Sequence, residues 1–323
     1  MKSEAEAVAA LLAELTMRGD VRVGIGDDAA VIGPDPGTLL AHDMIVENVH
    51  FRWSTHSAAD IGHLCLAVNL SDIAAMGGQP TAAVVGIAGP LEQLGEIGLR
   101  HMYRAMDALA ESAGCAIVGG DLSQAPVTVI GVTVIGVMPS GVAPVTRSGA
   151  NIGDALCITG SLGRSAAGRA LLDDPPRHPT PQMTALMDAH RRPTPRLSEG
   201  RLLAAGGATA MMDISDGLLI DAARLAAASG HRVVLDLDSL PVEPDVAAVA
   251  RSRAARPDVF AASGGEDYEL LVTLRPGLLG PLGDLVIQIG EVREGPTGLQ
   301  VVRGTTPVSV HDRGWDHLRS PAG

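Results

Sequence analysis

The 323-residue sequence predicts a fold of the α/β to α+β class, built as two domains. Three observations carry that expectation. Strand-like and helix-like patterns alternate from end to end, as they do when sheets and helices are layered around a core. Apolar residues make up 46% of the chain while aromatics make up only 2%, so the cores must be almost wholly aliphatic. The segment PSGVAPVTRSGANIGD at 139–154 is rich in Gly, Pro and Ser, the composition of a joint. The expected units are 1–140 and 150–323.

Each element has its own justification. Residues 4–17 carry apolar positions at helical spacing, and GDVRVGIGDDAAVI then alternates like a strand around a Gly-rich corner. Ser57 or Asp60 opens a helix over 58–76, which Gly77-Gly78 stops. PTAAVVGIA at 80–88 reads as a strand, 91–113 as a helix closed by Gly114, and 115–118 and 126–138 as further strands. The apolar runs 80–88 and 126–138 suit a sheet covered on both faces. Beyond the joint come the strand ALCITG, a small-residue helix over 162–172, and a stretch from Pro175 to Pro195 whose prolines interrupt regular structure. Helices over 197–205 and 216–229, the latter stopped by Gly230, and strands at 209–213, 232–237, 268–274 and 285–291 complete this half, with a tail from 311.

Charge and cysteine usage exclude several function classes. A formal net charge of −13 lacks the basic surface that a nucleic-acid partner requires. No apolar run reaches the length of a membrane span, so no membrane partner is expected. Cys65, Cys115 and Cys157 form no CxxC pair, and the acidic N-terminus is unlike a secretory signal. A cytoplasmic protein with reduced, buried thiols is expected.

Five acidic clusters are wrapped in Gly, Ser or Asn: GIGDDAAVI, AHDMIVENVHF, NLSDIAAMGG, GGDLS and MDISDG. Their aspartates, Asp28, Asp43, Asp72, Asp121, Asp213 and Asp216, are expected where apolar runs give way to turns. Any one cluster is ordinary turn and cap chemistry. Together, with like charges close at Asp27-Asp28 and Asp213/Asp216, they call for cations. Hard oxygen ligands that are completed by water and substrate phosphates describe several Mg²⁺ ions acting on a nucleoside triphosphate.

The blocks GIGDDAAV, DMIVENVHF, AVNLSDIAAMG, GGD, TRSGANIGD, SAAG, DISDGL, SGGEDYEL and GWDH follow one another from residue 24 to residue 317. In them the chain resembles the thiamine-monophosphate kinases, of the superfamily that includes aminoimidazole ribonucleotide synthetase and selenophosphate synthetase. The resemblance implies a synthetase-like fold: an N-terminal α/β domain whose sheet forms a barrel across a homodimer, then an α+β C-terminal domain. It implies ATP-dependent phosphorylation of thiamine monophosphate to thiamine diphosphate, the last step of that biosynthesis, by direct in-line transfer with Mg²⁺.

It also implies roles. Asp28, Asp43, Asp72, Asp213 and Asp216 would be metal ligands, and Asp121, following Gly120, would serve metal and ATP. Arg147 and Ser215 would contact the ATP phosphates. Tyr103 would pack against adenine, with core packing an equal alternative. His50, Glu266 and Trp315 would take the acceptor. Catalysis would rest on Asp43, Asp72, Asp121 and Asp213. Where the family usually has Ser/Thr-Thr, this chain has Ala41-His42, so one metal site would be weakened to the His42 backbone carbonyl, rebuilt through water, or lost. The remaining alternatives are another ATP-dependent member of the superfamily with a different acceptor and a non-catalytic nucleotide- or thiamine-phosphate-binding homologue. The region 172–196 is a candidate lid.

Overall fold

The computed structural model describes residues 20–34, 37–310 and Gly314. The helix expected over 4–17, the tail and Trp315 lie outside the described residues.

The first sheet has six strands: β1 (Val21–Val23), β2 (Ala30–Ile32), β3 (Thr38–Val46), β4 (Gln79–Gly89), β5 (Ala116–Gln124) and β6 (Val129–Val137). Their order is β1-β2-β3-β6-β4-β5, with β4 and β5 parallel and the other pairs antiparallel. Helix α1 (Ala58–Ala75) lies against β3, β6 and β4, and α2 (Leu91–Ala113) against α1 and β5. Ser57 starts α1 through a reciprocal capping box with Asp60. Being apolar nearly all round, α1 is buried along its length, the outcome expected for a helix without a polar face. It approaches α2 so closely at Gly62 that a Cβ there would lie 2.1 Å from the Met102 carbonyl oxygen.

This sheet departs from expectation. Strand β6 alternates between buried and partly exposed residues, and β5 is exposed at nearly every position. Leu39, Ala41 and Ile45 of β3 face the core, whereas Leu40, His42 and Met44 face away from it, as does Val84 of β4. One face is covered among the described residues, not two, because the sheet is largely antiparallel and its helices lie on one side.

The second sheet has seven strands: β7 (Ala155–Ile158), β8 (Ala210–Asp213), β9 (Arg232–Asp236), β10 (Leu270–Leu274), β11 (Ile287–Arg293), β12 (Gly298–Arg303) and β13 (Thr306–Pro307). They run β13-β12-β9-β11-β7-β10-β8, with only β9 and β12 parallel among these pairs. The helices of this half are α3 (Arg164–Asp173), α4 (Pro181–Arg191), α5 (Leu197–Gly206), α6 (Leu218–Ser229), α7 (Pro244–Ser252), α8 (Pro257–Ser263) and the short α9 (Leu279–Leu282). Residues of α6 and α8 pack on one face of the sheet. Its other face packs against Leu203 of α5 and against Ala74 and Ala75 of α1. Helix α1 therefore belongs to both cores.

The Pro175–Pro195 stretch contains helix α4, contrary to expectation. Thr180 caps its start and Pro181 takes the first turn, where a missing N–H costs nothing. Strands β12 and β13 and helices α7 and α8 were not anticipated. Among the described residues no helix is long and apolar enough to cross a membrane.

Candidate active site

Three carboxylates meet where the two halves join. Asp28 sits in the turn before β2, Asp72 near the end of α1, and Asp213 at the end of β8. One oxygen from each lies within 4.8 Å of the others. They line a cavity of about 1170 Å³ together with Asp43, His50, Arg147, Ser215, Asp216 and Glu266.

Neighbouring side chains fix this group. The Ser71 hydroxyl donates to Asp213 Oδ2 at 2.7 Å. The Asp43 amide donates to Asn69 Oδ1 at 2.8 Å, and Asn69 is itself anchored to the Cys65 carbonyl. Burial pushes the Asp72 carboxyl well above the usual range, with the charges of Asp43 and Asp213 adding to it. Burial does the same to Asp213, seconded by Asp28. An all-oxygen set of crowded, desolvated carboxylates has the chemistry of a hard-cation site.

Arg147 supplies countercharge to this group. Its guanidinium forks onto Asp28, Nη2 to Oδ1 at 2.9 Å and Nε to Oδ2 at 3.2 Å, while its amide donates to Asp27 Oδ1 at 2.8 Å. Asp216 lies in the same cavity but outside the three-aspartate group, held by Arg224 Nη1 at 2.5 Å. Arg224 also reaches Asp221 Oδ1 at 3.0 Å, and Asp221 in turn accepts the amides of Asp216 and Gly217 at the start of α6. Burial pushes Asp221 up to about 7.

The opposite wall is a strained loop. Glu266 and Tyr268 adopt φ of +64° and +52°, left-handed values that non-glycine residues rarely take outside functional sites. The loop is zipped to the segment after β8: the Glu266 amide donates to the Ser215 carbonyl at 2.7 Å and the Tyr268 amide to that of Ile214 at 3.0 Å. Gly265 permits this approach, since a Cβ there would lie 2.6 Å from the Ser215 carbonyl oxygen. Burial pushes the Glu266 carboxyl up to about 7, opposed by Arg169 and reinforced by Asp216. The His50 Nδ1 accepts the Val46 amide at 3.0 Å, which places the proton of the neutral ring on Nε2.

Other expected residues are not brought into the three-aspartate group. Ala41 points into the core at 2% exposure. His42, next along the strand, projects from the opposite face, its Nδ1 2.8 Å from Thr133 Oγ1, yet it lines the same cavity as the aspartates. Tyr103, Gly120 and Asp121 line a separate cavity of about 790 Å³ with Arg104, Asp107 and Ile117. Gly120 is needed there because a Cβ would lie 2.1 Å from the Val85 carbonyl oxygen. Asp43, Asp72 and Asp121 lie inside a strand, a helix and a strand rather than at turns. Sequence reasoning missed Ser71, Arg169, Arg224 and Tyr268. Ser71 and Tyr268 had a local signal, the one beside Asp72 in NLSD and the other two residues after Glu266 in SGGEDYEL.

Residues 26–138 match the family of the AIR synthase related protein, N-terminal domain, and residues 151–278 match its C-terminal domain family. The chain is 38% identical to the thiamine-monophosphate kinase of Mycobacterium tuberculosis over 290 residues, covering 87% of this chain and 82% of that protein. It is 37% identical to the thiamine-monophosphate kinase of Salmonella typhimurium, covering 94% of each. Among solved structures it is similar to AaThiL complexed with AMPPCP and TMP, at 31% identity and a TM-score of 0.87, covering 98% of this chain and 97% of that one. By its nine ordered blocks, both domain matches and these relatives, the chain belongs to the thiamine-monophosphate kinase family.

Proposed function

We propose that the protein transfers the γ-phosphoryl group of ATP to the phosphate of thiamine monophosphate, yielding thiamine diphosphate and ADP. The observation that carries this reading is the meeting of Asp28, Asp72 and Asp213 in one cavity with His50 and Glu266. The relative bound to AMPPCP and TMP gives the substrate pair.

An acceptor phosphate oxygen attacks the γ-phosphorus as the bond to the β,γ-bridging oxygen breaks. The attacking oxygen is already an anion, so no general base or phosphoenzyme is needed, and positioning with charge neutralisation carries the catalysis. Asp28, Asp72 and Asp213, with Asp43 beside them, would hold Mg²⁺. Bound there, Mg²⁺ supplies the positive charge that lowers repulsion between two anionic substrates. Asp216, in the same cavity and held by Arg224, would join this ligand set. Ala41 and His42 offer the metals no side-chain oxygen, so fewer direct ligands are expected at that position.

Arg147 and Ser215 would hold the nucleotide phosphates, and Tyr103, Gly120 and Asp121 of the second cavity the rest of the nucleotide; Asp121 would also serve metal carried with it. Glu266 and His50, with Trp315, receive the cationic acceptor. We read 1–140 as the nucleotide-binding and dimerisation domain and 150–323 as the domain that completes the site. A homodimer closing the first sheet into a barrel is supported by its open face, where Met44 is 54% and Val84 41% exposed. Three buried free cysteines suit a cytoplasmic setting.

The test is formation of thiamine diphosphate from thiamine monophosphate and ATP, with Mg²⁺ and with EDTA, following ADP in the same tubes. Equimolar, Mg²⁺-dependent products are expected. Neither product, from protein that still binds ATP, would overturn the reading.

A further inference from the structure

Helix α4, in the proline-rich stretch, ends beside the strained loop. His190, in its last turn, is 7% exposed. Its Nδ1 stands 3.0 Å from Ser165 Oγ and 3.4 Å from Glu266 Oε2. Burial, seconded by His56, holds this imidazole down to about 3, so it is neutral at ordinary pH. Nδ1 is hydrogen-bonded to the Ser165 hydroxyl, and Glu266 Oε2 stands just beyond that bond: a proton on Nδ1 faces the Glu266 carboxyl, whereas a proton on Nε2 leaves Nδ1 to accept from Ser165.

The ring cannot drift from this position without disturbing its neighbours. Helix α4 docks on α3 at Gly168, where a Cβ would lie 2.0 Å from the Leu186 carbonyl oxygen. Ala167, Ala170 and Leu171 of α3 share a core with Leu186 and Met187 of α4. At the start of α3, the amides of Gly163 and Ser165 donate to Asp267, the residue after Glu266, at 2.6 and 3.0 Å. At the end of α4, Arg191 Nε donates to the Thr55 carbonyl and Arg192 Nε to Asp60 Oδ1, each at 2.6 Å. His56 packs edge-on against His190, with centroids 5.5 Å apart.

We infer that His190, with Ser165, is a positioning residue that holds the Glu266 carboxylate in the orientation that receives a cationic heteroaromatic monophosphate. Helix α4 then backs the wall of the acceptor site that α3 lines, rather than closing over it as a lid. This rests on the acceptor reading given above, and assigns to two further residues the geometry on which Glu266 depends. Without the imidazole, the Glu266 carboxyl keeps its burial but loses the polar neighbour that limits its rotamers.

The test is calorimetric binding of thiamine monophosphate and, separately, AMPPCP to wild-type protein, His190→Ala, His190→Asn and Ser165→Ala. His190→Ala should weaken thiamine monophosphate about tenfold, the scale of one hydrogen bond to a charged group, and leave AMPPCP unchanged. His190→Asn, whose amide N–H stands near Nδ1, should recover most of the loss. Ser165→Ala should show a smaller loss of the same kind, and serves if His190→Ala does not fold. In a Glu266→Ala background, His190→Ala should have no further effect. An equal loss with and without Glu266, or an equal loss for both ligands, would overturn the inference. Wild-type protein that does not bind thiamine monophosphate would overturn the acceptor reading, and this inference with it.

Discussion

In the second sheet, β7, β8 and β10 are buried at every residue, packed by α6 and α8 on one side and by α5 and the end of α1 on the other. In the first sheet, α1 and α2 cover one face while β5 stands exposed and apolar side chains project from the other. The second sheet thus obtains its burial within the chain. The first leaves apolar area that a second copy is expected to cover. Burial within the chain gives stability to a monomer, whereas an open apolar face gives stability only on assembly.

The largest expected effect lies at the seam between the sheets. Asp72→Asn keeps the shape of the side chain but removes the charge proposed to ligate metal, and on that proposal should lower transfer by about 1,000-fold, the several kcal/mol that metal-held charge contributes. Its circular dichroism and self-association should stay as in wild type. Near-normal activity would remove Asp72 from the metal set.

Paired substitutions separate the sheets themselves. Leu271→Ala, on the doubly covered β10, should destabilise the chain by about 3 kcal/mol in urea titration. Val84→Glu, on the open face of β4, should lower that midpoint only by the concentration-dependent share that assembly supplies, and shift the sedimentation profile from dimer to monomer. A monomeric wild type, or a dimer indifferent to Val84→Glu, would contradict the reading of the open face.

A smaller effect is expected from pH. Asp72, Asp213 and Glu266 all titrate higher folded than unfolded, so the metal-free folded chain binds more protons than the unfolded chain. That contribution is full below the ordinary carboxylate range, near pH 4, and falls as pH rises, for Glu266 through about 7. Mg²⁺ requires the ionised carboxylates, so its stabilisation in thermal melts should be larger at about pH 8 than at about pH 6. Equal Mg²⁺ shifts at both would count against the buried cluster as the binding site. The smallest change should come from Ala41→Ser with His42→Thr. Because Ala41 faces the core and the His42 ring is engaged by Thr133 at the cavity's edge, outside the three-aspartate group, activity should rise by less than about threefold.

Much of this was legible in the sequence, for identifiable reasons. Helix α1 was bounded well because Ser57 and Asp60 form a capping box and Gly77-Gly78 ends the pattern. Strands β7, β8 and β10 were legible as short apolar runs. Helix α4 was not, because prolines that break a helix in its interior also start one at its first turn, and only Thr180 before Pro181 distinguishes the two. The aspartate blocks were readable as a set, but which of them converge was not: Asp28, Asp72 and Asp213 lie on a turn, a helix and a strand far apart in sequence. Arg224 and His190 carried no local signal, since their partners are supplied by the tertiary fold.

Helix α1 contributes to both cores and carries Asp72 near its end. The two halves are therefore not interchangeable modules. A chain severed at the Gly-Pro-Ser joint would leave β7, β8 and β10 covered by α5 alone on the face where Ala74 and Ala75 now also sit, and would separate Asp28 and Asp72 from Asp213. Loss of structural integrity in either half would silence the site before chemistry began, so activity in this protein reports on the folding of the whole.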